Sequence, residues 1–356
     1  MGLKKGDKLT FSTKLLHWNK KVNKRQMPWK GEKDPYKVWL SEVILQQTRV
    51  EQGWAYYERF IQRYPNIQDL AAASEEEVFK LWEGLGYYSR CRNLLHTARF
   101  IAFDRSGVFP SNYKDLSGLK GVGPYTAAAV ASFAFGLPHA VVDGNVIRVL
   151  SRVFGISKPV DESSTKKEIT ALADQLLDKN NPADYNQALM DVGASICKPK
   201  APLCHSCPLA VECVAFQSKQ VDRLPVKGKK LIRKKRYFHY LIFEYNGLVY
   251  VKKRAGKDIW KDLFEFFLLE ADCLIDPSDL VKQPYFRKIA GKGFEILHVS
   301  AVHKQQLTHQ QLTGMFIHVK LKAPPGGLED HQAVSKKSLS RLAFPKLILS
   351  YLLEKN

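Results

Sequence analysis

The stretch "LKGVGPYTAAAV", residues 119–130, sets two glycines and a proline directly before a run of alanines. A tight turn feeding a helix leaves several backbone N–H groups without partners, and the helix dipole adds positive potential at the same place. That is a local device for holding an anion. Gly121 and Gly123 reach backbone conformations barred to other residues and let a phosphate come close. With "DLSG" in front, the segment predicts a short helix, a Gly-Val-Gly hairpin and a second helix with Pro124 near its start. A dinucleotide fingerprint on Gly118, Gly121 and Gly123 is rejected, because no strand precedes it and the spacing differs.

The anion has to be named by the rest of the chain. Its 356 residues carry 55 Lys and Arg against 35 Asp and Glu, a net charge of +20. Such an excess favours a polyanionic partner, nucleic acid first and an anionic membrane second. Apolar content is 45%, and no apolar run reaches bilayer length, so a soluble chain with no membrane association is expected. The opening "MGLKKGDKLTF" offers neither a signal-peptide core nor a myristoylation signal, which predicts a reducing, cytoplasmic setting.

In such a setting clustered cysteines point to metal rather than disulfides. Cys197, Cys204, Cys207 and Cys213 are spaced C-x6-C-x2-C-x5-C. Four thiolates in one loop suit tetrahedral zinc or a 4Fe–4S cluster, and the spacing does not choose. Lys198 and Lys200 lie inside the loop, where a pinned basic segment could press on phosphates.

From about residue 36 to 216 the pattern is helical; "DPYKVWLSEVILQQTRVEQGWAYYERFIQRYP" reads as two helices started by Asp34-Pro35 and stopped at Pro65. "RLPVKGKKLIRKKR", residues 223–236, then packs eight basic residues with no acidic one. Beyond it, "YFHYLIFEYNGLVYVKKR" reads as a β-hairpin turning at Asn246-Gly247, "TGMFIHVKLK" as a strand and "FPKLILSYLLEK" as a closing helix. The expected architecture is an all-α domain over 1–216 with two helical subdomains and a metal loop at 197–213, a basic linker over 217–236, and an α+β domain over 237–356.

Two carboxyls stand out. Asp143, eighteen residues after Tyr125, precedes a helix in "VDGNVIRVLSR", where an N-cap role alone would account for it. Glu42 sits in "VWLSEVILQQTRV", where Val38, Trp39, Val43, Ile44 and Leu45 leave only a narrow polar stripe shared with Gln46. A carboxyl against apolar walls keeps its proton to higher pH and can donate it, although a solvated helix charge is the bland alternative.

In this order, "WLSEVILQQTRV", "WEGLGYYSRCRNL", "LKGVGPYTAAAV", "VDGNVIRVLSR", "NQALMDVGA" and the cysteine loop closely resemble the helix-hairpin-helix DNA glycosylase superfamily, and within it the MutY-type adenine DNA glycosylases. The resemblance covers nearly the whole chain. It implies a monomeric, monofunctional hydrolase acting in base excision repair. The substrate would be duplex DNA, chromosomal in the cytoplasm or nuclear or mitochondrial in a eukaryote. The bond cut would be the N-glycosidic bond of adenine mispaired with 8-oxoguanine or guanine, after the adenine has been flipped from the stack.

By the same resemblance Glu42 is the general acid, Asp143 stabilises an oxocarbenium-like sugar, and Asn145 orients Glu42 and the water. Related lyases carry a lysine where this chain has Tyr125, which cannot form a Schiff base and is expected to support the sugar. Lys120, Gly121, Val122 and Gly123 would hold the DNA backbone. Gln47 and Tyr87 would enter the duplex, and Arg25, Trp29 and Asp191 would line the adenine pocket. The resemblance selects one 4Fe–4S cluster over zinc. The α+β domain resembles the Nudix fold through Trp260 and "LFEF" but lacks its glutamate-rich helix. It would bind 8-oxoguanine through Leu307, Thr308 and His309, where Leu307 replaces the family's aromatic residue.

Overall fold

The computed structural model describes residues 5–228 and 232–354; residues 1–4 of the opening stretch and 229–231 of the basic segment lie outside the described residues. The chain begins with α1 (Lys5–Lys21), α2 (Pro35–Leu45), α3 (Val50–Arg63), α4 (Ile67–Ala72), α5 (Glu75–Trp82) and α6 (Ser89–Arg99). Next come α7 (Tyr113–Ser117), α8 (Pro124–Phe133), α9 (Gly144–Val153), α10 (Ser163–Leu176), α11 (Pro182–Asp191) and α12 (Val214–Gln217).

Their ends follow from local chemistry. Asp34 caps α2 by accepting the Tyr36 N–H at 2.9 Å, with Pro35 in the first turn. Ser74 and Glu77 close a reciprocal capping box on α5. Asp143 caps α9 through the Val146 N–H at 2.7 Å. Gly121 takes φ +80°, and a Cβ there would meet Asn93 Cβ at 2.6 Å, so the hairpin needs glycine at that point.

The chain divides into two compact units, Met1–Ala72 with Asn93–Lys229, and Ala73–Arg92 with Lys230–Asn356. In the first, α1, α9, α10 and α11 share a core that includes Leu15, Val149, Leu150, Ile169, Leu176 and Tyr185. Helix α2 is apolar nearly all round and is buried accordingly. It packs on α8, where Ala127, Ala129, Val130 and Ala131 are completely buried and their small volume lets the backbones approach.

The second unit is built on a mixed sheet. Its strands are β1 (Lys234–Tyr245), β2 (Leu248–Lys253), β3 (Phe264–Glu265), β4 (Phe267–Ala271), β5 (Phe294–Val299), β6 (His303–Gln306), β7 (Gln310–Leu321) and β8 (Gln332–Ser335). The order runs β3-β2-β1-β7-β5, with β4 on β1, β6 on β7 and β8 on β2. β1 and β7 pair in parallel from Lys234–Gln310 to Glu244–Lys320; every other pairing is antiparallel. Asn246 and Gly247 both take positive φ, as the two-residue turn joining β1 to β2 requires.

Leu241, Phe243, Ile317 and Val319 pack against Leu280 and Phe286 beneath this sheet. The segment Ala73–Arg92 joins the same unit by polar contacts. Glu83 Oε1 accepts the Phe344 N–H at 2.8 Å, Lys80 Nζ donates to the Leu342 carbonyl at 3.0 Å, and Arg92 Nη1 donates to the Lys261 carbonyl at 2.9 Å. No helix of the described residues is long and apolar enough to cross a membrane.

Candidate active site

The packing of α2 on α8 brings Glu42 beside Tyr125, whose phenolic O–H donates to Glu42 Oε2 at 2.5 Å. Glu42 is only 4% exposed. Burial pushes its carboxyl up to about 7; the Tyr125 bond opposes the rise and the charge of Asp143 adds to it. Asp143 reaches the same place from the N-terminus of α9. It accepts the Val146 N–H and, at 2.7 Å, the Asn145 side-chain amide. Burial raises its carboxyl as well, against the lowering effect of those donors and of Arg148.

Glu42, Tyr125, Asp143 and Asn145 line one cavity of about 290 Å³ together with Arg25 and Trp29. Trp29 is buried and meets Tyr57 edge-on, so one indole serves both the core and the cavity wall.

Two of the expected pocket roles take a different geometry. Asn145 was expected to orient Glu42, but its amide donates to Asp143 Oδ2, and its own carbonyl accepts from Arg148 Nη2 at 2.9 Å. Asp191 does not line the cavity. It is completely buried and accepts from Asn23 at 2.7 Å, Arg25 at 2.6 Å, Lys30 at 2.9 Å and Gln187 at 3.0 Å. A buried carboxylate needs such a ring of donors, so Asp191 acts as the anchor that holds Arg25 in the wall. Lys30 and Gln187 also line the cavity and went unread in the sequence. The spacing of Gln187 and Asp191, four apart on α11, was the available signal.

Arg148 extends this constellation. Besides Asn145 it donates to the Gly193 carbonyl and, through Nε, to the Cys197 carbonyl, each at 2.7 Å. Gly193 lies so near that a Cβ would meet Asn145 Cβ at 2.6 Å. One arginine therefore joins the first cysteine of the loop to the residue that holds Asp143. Arg152, one turn on, donates to Cys197 Sγ at 3.3 Å and to the Lys198 carbonyl at 2.8 Å.

Cys197, Cys204, Cys207 and Cys213 all line one small cleft with Arg152, Ile196 and Phe216 among its walls. Among the described residues no three His, Cys, Asp or Glu side chains are gathered to hold a single metal ion. Lys198 and Lys200 are exposed beside the four cysteines.

The remaining expected positions are not among the residues lining the cavity. In the hairpin Val122 is buried, while Lys120, Gly121 and Gly123 face solvent. Gln47 is exposed with φ +57°, in the break between α2 and α3. Tyr87, in the second unit, is 49% exposed with φ +48°. Neither backbone conformation is comfortable for a residue with a Cβ, which marks both places as held by their surroundings.

In the second unit Leu307, Thr308 and His309 form the turn between β6 and β7. Leu307 N–H donates to the Gln310 carbonyl at 2.8 Å, and the His309 carbonyl accepts the Lys234 N–H at 3.0 Å. Leu307 is half-buried; Thr308 and His309 are exposed. The hydroxyls of Tyr87 and Thr308 are hydrogen-bonded at 2.7 Å.

Residues 40–178 match the family described as "HhH-GPD superfamily base excision DNA repair protein". An adenine DNA glycosylase of Buchnera aphidicola subsp. Schizaphis graminum is 37% identical over 256 residues, 72% of this chain and 74% of that relative. The adenine DNA glycosylase of Homo sapiens is 43% identical over 227 residues, 61% of this chain and 41% of its own. Among solved structures, a thermostable thymine-DNA glycosylase superposes with a TM-score of 0.53 at 30% identity, covering 59% of this chain and 97% of that one. An endonuclease III–DNA complex gives a TM-score of 0.50 at 23% identity, over 61% of this chain and 99% of that one, a likeness of fold.

Proposed function

Because this chain belongs to the MutY-type adenine DNA glycosylases of the HhH-GPD superfamily, we propose that it hydrolyses the N-glycosidic bond of adenine opposite 8-oxoguanine or guanine in duplex DNA, and does so without cutting the strand. The observation that carries this reading is the meeting of Glu42, Tyr125 and Asp143 on one cavity. An adenine would reach the cavity by leaving the base stack.

In the reaction the C1′–N9 bond breaks and its electron pair goes to the base. Glu42, holding a proton near neutral pH, gives it to N7 and so makes adenine a neutral leaving group. Asp143 faces the positive charge that develops at C1′, with the α9 N-terminus and the Asn145 amide favouring its ionised form. Water then adds to C1′, and its proton returns to the Glu42 carboxylate. Tyr125, which cannot form the Schiff base a lysine would, is what supports hydrolysis without strand cutting.

Cys197, Cys204, Cys207 and Cys213 would hold one 4Fe–4S cluster, which would pin the basic loop carrying Lys198 and Lys200. Four cysteine thiols lining one cleft are a donor set that fits such a cluster, and the resemblance selects it over zinc. Exposed Lys120, Gly121 and Gly123 would hold the phosphates, and Gln47 and Tyr87 would enter the duplex. The sheet-rich region is read as a Nudix-like domain meeting the base opposite adenine through Leu307, Thr308 and His309. The protein would work as a monomer on chromosomal DNA.

One assay tests the whole reading. The protein is incubated with duplexes carrying adenine opposite 8-oxoguanine, guanine or cytosine, and product is read before and after alkali. Release opposite the first two with breakage only after alkali is expected. Strand scission without alkali, or equal release opposite cytosine, would overturn it.

A further inference from the structure

The assignment of the Leu307–His309 turn to the base opposite adenine leaves a physical question: what keeps a three-residue turn in one shape. Arg236, at the end of the basic segment and on β1, is 8% exposed. Its guanidinium makes five hydrogen bonds. Nε and Nη2 donate to Glu270, each at 2.6 Å; Nη1 and Nη2 donate to Asp258 at 2.8 and 2.7 Å; Nη1 donates to Gln310 Oε1 at 3.2 Å. A guanidinium owns five N–H donors in one rigid plane, and here each finds an acceptor. The plane also lies 4.9 Å from the Phe238 ring centre.

With every donor engaged, Arg236 has nothing left to offer a phosphate. Two of its partners are carboxylates from β4 and from the loop after β2, and they fix the plane. The third is Gln310, the first residue of β7, whose backbone carbonyl accepts the Leu307 N–H and closes the turn. Immediately before Gln310, the His309 carbonyl accepts the backbone N–H of Lys234, two residues before Arg236. β1 thus holds the C-terminal end of the turn at two adjacent residues, and Gln310 closes the turn onto Leu307.

We propose that Arg236, acting through Gln310, is a positioning residue that sets the Leu307–Thr308–His309 turn for the base opposite the excised adenine. The proposal rests on the reading of that turn given above. A lysine at 236 could answer the carboxylates with charge, but its three donors on a flexible stem define no plane.

The test is the ratio of single-turnover adenine release opposite 8-oxoguanine to release opposite guanine, measured on the full chain with the melting temperature as a folding control. Gln310→Leu removes only the neutral acceptor and should lower the ratio about fivefold to tenfold at unchanged melting temperature. Gln310→Glu keeps an acceptor for Arg236 and should retain the ratio; Arg236→Lys should lower it. Thr308→Ala and His309→Ala serve as the comparison. If these two lower the ratio and Gln310→Leu does not, the positioning role is overturned while the turn's assignment stands. If Gln310→Glu loses the ratio as fully as Gln310→Leu, the link through the acceptor is likewise overturned. If neither Thr308→Ala nor His309→Ala changes it, the assignment itself fails and takes the positioning role with it.

Discussion

Tyr125 donates to Glu42 across 2.5 Å, and the bond pulls the acid in the direction opposite to burial. Desolvation raises the carboxyl, the phenol opposes that rise, and the balance stands at about 7. A general acid works best when its affinity for the proton lies near the operating pH.

The first expectation concerns pH. Glu42 must carry its proton and Asp143 must have lost its own, so single-turnover adenine release should fall about tenfold per pH unit well above 7 and fall again in acid as Asp143, raised by burial, takes up a proton. A rate that ignores pH between 6 and 9 would remove Glu42 from the acid role.

Tyr125→Phe removes the bond that lowers the acid. The alkaline limb of the same profile should therefore move to higher pH, whatever happens to the maximal rate. A limb that moves to lower pH, or stays in place, would show that the phenol does not tune Glu42.

Glu42→Gln should cost about 10²- to 10⁴-fold in adenine release. Stability should respond with the opposite sign. The folded carboxyl titrates above its unfolded value of 4.5, so its stabilising contribution is complete below that pH and lost as pH rises through about 7. Gln carries no such loss, and by this linkage the variant should gain up to about 3 kcal/mol over the native chain at pH 8. Denaturant melts at pH 5 and pH 8 measure the difference.

Arg148→Lys cuts the connection that runs from the Cys197 carbonyl through Asn145 to Asp143. Adenine release should fall about tenfold, with affinity for a product-like abasic duplex held within about twofold. Equal losses in binding and rate would mean that the arginine serves the DNA surface instead.

Lys120→Ala should act on binding alone. The slope of log affinity against log salt should drop by about one, and the single-turnover rate at saturating protein should hold. An unchanged slope would place Lys120 away from the phosphates.

Local chemistry made much of this molecule legible in its sequence. The Gly-Val-Gly turn and the alanines of α8, the caps at Asp34 and Asp143, and the Asn246-Gly247 turn each carry their signal within a few residues. Glu42 was readable because the apolar residues around it on α2 leave a carboxyl nowhere to go but a shared cavity. What escaped depends on partners far along the chain. The parallel pairing of β1 with β7 brings together residues 76 positions apart and leaves no local mark. Asp191 reads as a candidate for the cavity wall, yet Arg25 and Lys30, distant in sequence, enclose it from the other side. The orientation of Asn145 was beyond reach for the same reason, since it is set by Arg148, which is itself held by Gly193 and Cys197.

The excursion of Ala73–Arg92 into the second unit changes what a truncation means. The polypeptide crosses from one body to the other three times, so no single cut frees them. A fragment ending at residue 229 would keep α5 yet forfeit the Phe344 N–H that Glu83 accepts and the Leu342 carbonyl that Lys80 grips. Such a piece is an amputation: it carries a helix stripped of the backbone groups it grips, and its behaviour in solution would report on that wound as much as on the missing half.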